Sequence, residues 1–93
     1  MRKIIFFHGA DCPHCMRMMP IVIKLEKKLG LEVEKLEVWY NEENAEKMRK
    51  YADIIMEASD GDLGVPTFLD LKNKEAVSGE MSEADLKKWL MEK

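Results

Sequence analysis

The sequence predicts a single α/β domain, residues 1–93, in which a four-stranded mixed sheet carries three helices on its two faces in the order β-α-β-α-β-β-α. Three observations carry this prediction. The run from Lys3 to His8 is short, apolar and rich in Ile and Phe, the pattern of a strand buried on both faces. Three later stretches repeat apolar residues at three- and four-residue steps, the period of an amphipathic helix. Near the end, Thr67 to Leu71 and Glu75 to Ser78 are β-prone runs separated only by Lys72-Asn73-Lys74, the spacing of an antiparallel hairpin. The opening strand, helix and strand form a βαβ unit, so those two strands are expected to be parallel with a right-handed crossover.

Each element has its own punctuation. Gly9-Ala10-Asp11 breaks the first strand, and Asp11 is placed to cap the helix that follows. Pro13 falls in the first helical turn, where its missing N–H costs nothing. Met18, Met19, Val22, Leu25 and Leu29 then mark one helical face, Pro20 is expected to kink the axis, and Gly30 stops it. Val33, Leu36, Val38 and Trp39 read as the second strand. Asn41 caps a second helix whose face is Ala45, Met48, Tyr51, Ala52 and Ile55. Ser59 to Gly64 is a loop by composition. Ser82 with Asp85 resembles a capping box and opens a last helix with Leu86, Trp89 and Leu90 inward.

Composition excludes several functions. Fifteen Lys and Arg against 18 Asp and Glu leave a net charge of −3, the wrong sign for a nucleic-acid binder. The longest apolar run, Ile4 to Phe7, falls far short of the roughly 18 residues of a bilayer span, and no membrane role is expected. No secretory leader is visible either, so the chain is expected to be cytoplasmic, and a monomer. The two cysteines, Cys12 and Cys15, are too few for a disulfide scaffold. A lone Cys-x-x-Cys in such a chain signals redox activity or metal binding.

The location of that motif matters as much as its spacing. At a strand-to-helix junction, unpaired backbone N–H groups and the positive end of the helix dipole stabilise a thiolate at Cys12. His14 is placed to add an imidazolium charge or to donate a hydrogen bond to the same sulfur. Cys12, at the exposed tip, is expected to attack a substrate disulfide, and Cys15, one turn in and more buried, to resolve the mixed disulfide.

Taken together, Cys12-Pro13-His14-Cys15 after the first strand, Pro20 five residues beyond it, and Gly64-Val65-Pro66-Thr67-Phe68 before the third strand resemble the thioredoxin and glutaredoxin superfamily in its minimal glutaredoxin-like form. The stretch from Val38 to Tyr51 resembles thioredoxin's second-strand-to-helix passage. The resemblance implies a thiol–disulfide oxidoreductase that needs no cofactor and exchanges electrons between Cys12–Cys15 and protein or small-molecule disulfides, with protein disulfides or dithiols as partners. A thioredoxin-reductase-type system or glutathione would recharge it. It also implies that Val65–Pro66 is cis and lies beside the cysteines, with the Val65 backbone pairing an extended substrate. Pro13 and His14 join Cys12 and Cys15 as catalytic candidates, and Asp11 joins Val65 and Pro66 as a substrate contact. Pro-His between the cysteines resembles the periplasmic disulfide-forming oxidants, so His14 pulls toward the oxidising side while Asp11 repels the thiolate and pulls back.

The chain also departs from the pattern. Thioredoxin's two active-site tryptophans are replaced by His8 and Asp11, and its buried aspartate by Phe6. Glutaredoxin's paired glycine before the last helix is here Gly79-Glu80, which leaves no ready site for a glutathione carboxylate. The stretch from Asp53 to Leu63 reads as a loop longer than thioredoxin's. Met18 and Met19 are read as core and Met16 as rim, Trp39 and Trp89 as packing residues, and His8 as a strand end. Two other functions compete: a zinc or copper(I) module using Cys12, His14 and Cys15, and an interaction module in which redox cycling is incidental.

Overall fold

A computed structural model describes residues 3–61 and 63–92 of the chain. Strands β1 (Ile4–His8), β2 (Val33–Glu37), β3 (Thr67–Asp70) and β4 (Glu75–Ser78) form one sheet in the order β2-β1-β3-β4. β1 runs parallel to β2, with Ile4 opposite Val33, and antiparallel to β3, with Phe6 opposite Phe68. β3 and β4 form the expected hairpin. Because β1 is central, Ile4 through Phe7 are all buried. Alternation splits them between two cores. Ile4 and Phe6 pack with Met18, Val22, Leu25, Leu86 and Leu90, whereas Ile5 and Phe7 pack with Met48 and Ile55. Phe6 stacks on Phe68 with ring centroids 4.6 Å apart, which ties the two inner strands on the first face.

Helix α1 (Pro13–Leu29) starts with proline at its first position and ends on Gly30 at φ 65°, the left-handed conformation that glycine adopts without strain. The helix continues through Pro20, which removes the bond that an amide there would donate to the Met16 carbonyl. Two expectations about helices are corrected. The second helix is two: α2 (Glu42–Lys50) and α3 (Ala52–Ala58), so the sheet carries four helices with α4 (Glu83–Met91). The break falls at Tyr51, whose N–H bonds back only three residues to the Met48 carbonyl and turns the chain. No Gly or Pro marks this point. The apolar period runs straight across it because Met48 and Ile55 bury on the same side of the sheet. For the same reason the stretch from Asp53 is not a long loop, since Ala52–Ala58 is helical. Asp62, in the expected loop, lies outside the described residues.

The caps at Asn41 and Ser82 form as expected: each side-chain oxygen accepts the amide three residues on, from Asn44 and Asp85. Asp70, fully buried at the end of β3, shapes the hairpin turn. Its carboxylate accepts the Lys72 and Asn73 amides at 3.0 and 3.2 Å and the Asn73 side-chain amide at 2.9 Å.

Candidate active site

The chain leaves β1 at His8 and turns sharply, the Cys12 amide donating to the Gly9 carbonyl at 3.1 Å. Cys12, and not Asp11, is the N-cap of α1: its sulfur accepts the Cys15 amide at 3.3 Å, taking the place of a serine or aspartate oxygen. The capping geometry also corrects the expectation of an exposed Cys12. Folded back over the first turn, Cys12 is only 3% exposed, against 2% for Cys15, and the outer rim of the turn is formed by Ala10, Asp11, Pro13 and His14.

The two sulfurs therefore differ in bonding and not in exposure. Both thiols are free. Burial first, and then the Cys12 sulfur, push the Cys15 thiol up to about 12, against a weaker opposing pull from the Gly9 amide that donates to it at 3.5 Å. Cys15 thus stays a neutral thiol at neutral pH. A cavity of about 410 Å³ beside Cys15 is lined by His8, Gly9, Ala10, Cys15, Met16, Met19 and Pro20. His8 is half-buried there, and desolvation lowers its pKa. Met18 is core and Met16, 64% exposed, is rim, as expected.

A brace that the sequence does not advertise holds the turn. Glu37, the last residue of β2, accepts the Ala10 amide at 2.8 Å and the Trp39 and Tyr40 amides at 2.9 Å each. Partial burial works against its charge, but the Tyr40, Ala10 and Trp39 amides hold its carboxyl below the usual carboxylate range. Trp39 lies flat against Gly9: a Cβ there would sit 2.4 Å from the indole. Its other face meets solvent, so Trp39 is both a packing residue and 51% exposed. Asp11 receives the Tyr40 hydroxyl, which keeps it on the Trp39 side of the turn.

The expected substrate contacts divide between two sides. Val65 and Pro66, joined by a cis peptide bond, line an open groove of about 640 Å³ together with His14, Ile21, Gly79, Glu80, Met81 and Ser82. Asp11 is not part of that groove. His14 does not bond either sulfur; its Nδ1 is 2.7 Å from Glu80, whose carboxylate also accepts Arg17 Nε and Nη2, both at 2.8 Å. Arg17 and then His14 depress the Glu80 carboxyl to about 2. Glu37, Tyr40 and Arg17 were not singled out for the site by sequence reasoning. Their partners lie up to 63 residues away, and no local period marks them.

Both depressed carboxyls make an acid prediction with a definite sign. A carboxyl lowered by folding stabilises fully above its ordinary value of 4.5 and loses that contribution as pH falls through the folded value. The turn braced by Glu37 should therefore hold above pH 4.5 and loosen as pH falls below it, while the Glu80 cluster should come apart toward pH 2. Trp39 fluorescence in a Trp89→Phe variant reads this directly. A transition above pH 5 would contradict the assignment.

Among the described residues, no group of three His, Cys, Asp or Glu stands where it could hold a metal ion, so nothing in the geometry supports the zinc or copper reading. Also among the described residues, no helix is long and apolar enough to cross a membrane. No family model matches the chain, and no curated relative does. Solved structures do match. A mutant thioredoxin from Halobacterium salinarum superposes with a TM-score of 0.67 at 22% identity, over 98% of this chain and 73% of its own. A glutaredoxin from Archaeoglobus fulgidus gives 0.64 at 22%, over 98% and 88%. Fasciola hepatica thioredoxin gives 0.67 at 25%, over 98% and 79%. The chain has the thioredoxin fold, with its two cysteines spaced as a Cys-x-x-Cys motif.

Proposed function

We propose that this chain is a thiol–disulfide oxidoreductase that passes electrons between Cys12–Cys15 and protein disulfides or dithiols. The observation that carries this reading is the asymmetry of the pair. Cys12 caps the helix and accepts a backbone amide, while Cys15 is held as a neutral thiol one turn behind. The N–H···S bond fixes the Cys12 sulfur over the first turn of α1, one helical turn from Cys15. The Cys12 thiolate attacks one sulfur of a substrate disulfide, forming a mixed disulfide and releasing a substrate thiolate. Cys15 then loses its proton and attacks the Cys12 sulfur. The Cys12–Cys15 disulfide forms and the second substrate thiolate leaves; two electrons have passed to the substrate, whose two thiolates take up the Cys15 proton and one proton from solvent.

Other candidates take supporting roles. Pro13 starts the helix and so places the Cys12 sulfur over the first-turn amides. The groove beside His14, Val65 and Pro66 suits an extended polypeptide, with the Val65 backbone offered to it. Asp11, tied to Tyr40, contributes charge at the rim instead of a groove contact. A reductase or glutathione returns the disulfide to the dithiol.

Equilibration of the full chain in graded glutathione buffers tests the reading. A single two-electron transition between dithiol and disulfide is expected. The small exposure of Cys12 sets a second condition. Its alkylation at neutral pH must outpace that of Cys15 and of a free thiol. A pair that neither oxidises nor alkylates under these conditions would sink the proposal.

A further inference from the structure

We infer that Glu80 is a positioning residue that holds the Arg17 guanidinium and the His14 ring away from Cys12, making the protein a weaker oxidant than its Cys-Pro-His-Cys motif alone would be. This inference rests on the oxidoreductase reading. Its basis is a closed cluster of three side chains from two distant segments. Glu80 Oε1 is 2.7 Å from His14 Nδ1 and 2.8 Å from Arg17 Nη2, and Oε2 is 2.8 Å from Arg17 Nε. Nitrogen and carboxylate oxygen at 2.7 Å require a proton between them, so His14 Nδ1 donates to Glu80. Arg17 Nη2 also lies 3.0 Å from the same nitrogen, so the three side chains close a triangle around Glu80 Oε1.

The loop holding Glu80 is fixed at both ends. The Gly79 amide donates to the Pro66 carbonyl at 2.9 Å, and the Met81 amide points at the Met18 sulfur at 3.5 Å. Glu80 is thus delivered to the first turn of α1 by the hairpin and the start of α4. Arg17 lies five residues after Cys12, in the second turn of α1, and its guanidinium is raised chiefly by Glu80, with Cys12 the weakest contributor. A cation within reach of the nucleophile stabilises the thiolate and with it the reduced state, which makes a disulfide more oxidising. Glu80 cancels that field at its source. Asp11 adds negative charge on the opposite rim and acts in the same direction.

Glu80→Gln keeps the shape of the side chain and removes its charge. In glutathione equilibration of the full chain, the variant is expected to shift the dithiol–disulfide equilibrium at least tenfold toward the dithiol, about 30 mV to the oxidising side. Arg17→Met should move it the other way, because Glu80 then faces Cys12 with one cation fewer. In a His14→Tyr/Arg17→Met background, where no partner is left to release, adding Glu80→Gln should shift the equilibrium clearly less than it does in the wild type; an equal shift would mean that Glu80 acts by its own charge and would overturn the positioning role. Circular dichroism confirms folding of each variant. Unchanged equilibria in both single variants, with a cycling wild type, overturn the inference and leave the oxidoreductase reading standing. A shift of Glu80→Gln toward the disulfide overturns it as well. A wild type that does not cycle removes the reading and the inference with it.

Discussion

Cys12→Ser is expected to abolish disulfide exchange, with a loss of at least about 10³-fold, because no other group on the chain can replace its sulfur as nucleophile. Cys15 is the nearest alternative, and its thiol is pushed up to about 12. Part of that rise comes from Cys12 itself, but burial, its largest cause, persists in the variant and keeps Cys15 a neutral thiol at pH 7. Cys15→Ser separates the two steps. The first attack survives, resolution fails, and a mixed disulfide at Cys12 accumulates that mass spectrometry of the trapped adduct can locate. If Cys15→Ser trapped nothing while Cys12→Ser did, the assigned roles would be reversed. If both variants kept turnover in a disulfide reduction assay, the pair would have no part in the chemistry.

The largest expected effect on stability comes from Gly9, where a methyl group meets the indole of Trp39. The added Cβ would lie 2.4 Å from Cδ2 and 2.5 Å from Cε2, well inside contact distance. Overpacking of this kind costs about 1–3 kcal/mol, and Gly9→Ala is expected near the upper end because the residue is buried between β1 and the Cys12 turn. The ring has an escape route, since its outer face meets solvent. Swinging out would strip cover from the turn that Glu37 braces through the Ala10 and Trp39 amides. Urea denaturation of Gly9→Ala, Trp39→Ala and the double variant forms a cycle that isolates the contact. The double variant should be more stable than the sum of the single losses implies. Strict additivity would mean that the indole does not press on Gly9.

The two cores were readable because their signals are local. Ile4-Ile5-Phe6-Phe7 can be buried on both faces only in the middle of a sheet, and Met18, Val22 and Leu25 keep helical step on one side. Helix ends at Asn41, Ser82 and Gly30 were readable for the same reason, since each cap is a bond or a dihedral within a few residues. The split at Tyr51 was hidden, because two helices burying Met48 and Ile55 against one sheet face preserve the period of a single helix. The cap of α1 was misread by one residue. Asp11 is the better capping type, but the turn closed by Cys12 and Gly9 puts the sulfur over the amides and sends Asp11 to Tyr40.

From sequence alone came the α/β order, the parallel entry and antiparallel hairpin, and the place of two sulfurs one helical turn apart at the mouth of α1. These follow from periodicity, chirality and helix geometry, which act over a few residues at a time. Tertiary structure alone decided what surrounds those sulfurs: the Glu37 brace, the Trp39 ring on Gly9, and the Glu80 carboxylate that takes His14 from Cys12. Each is a contact between residues 27 to 66 positions apart. Electrostatics and packing depend on distance in space, and only the folded sheet sets that distance.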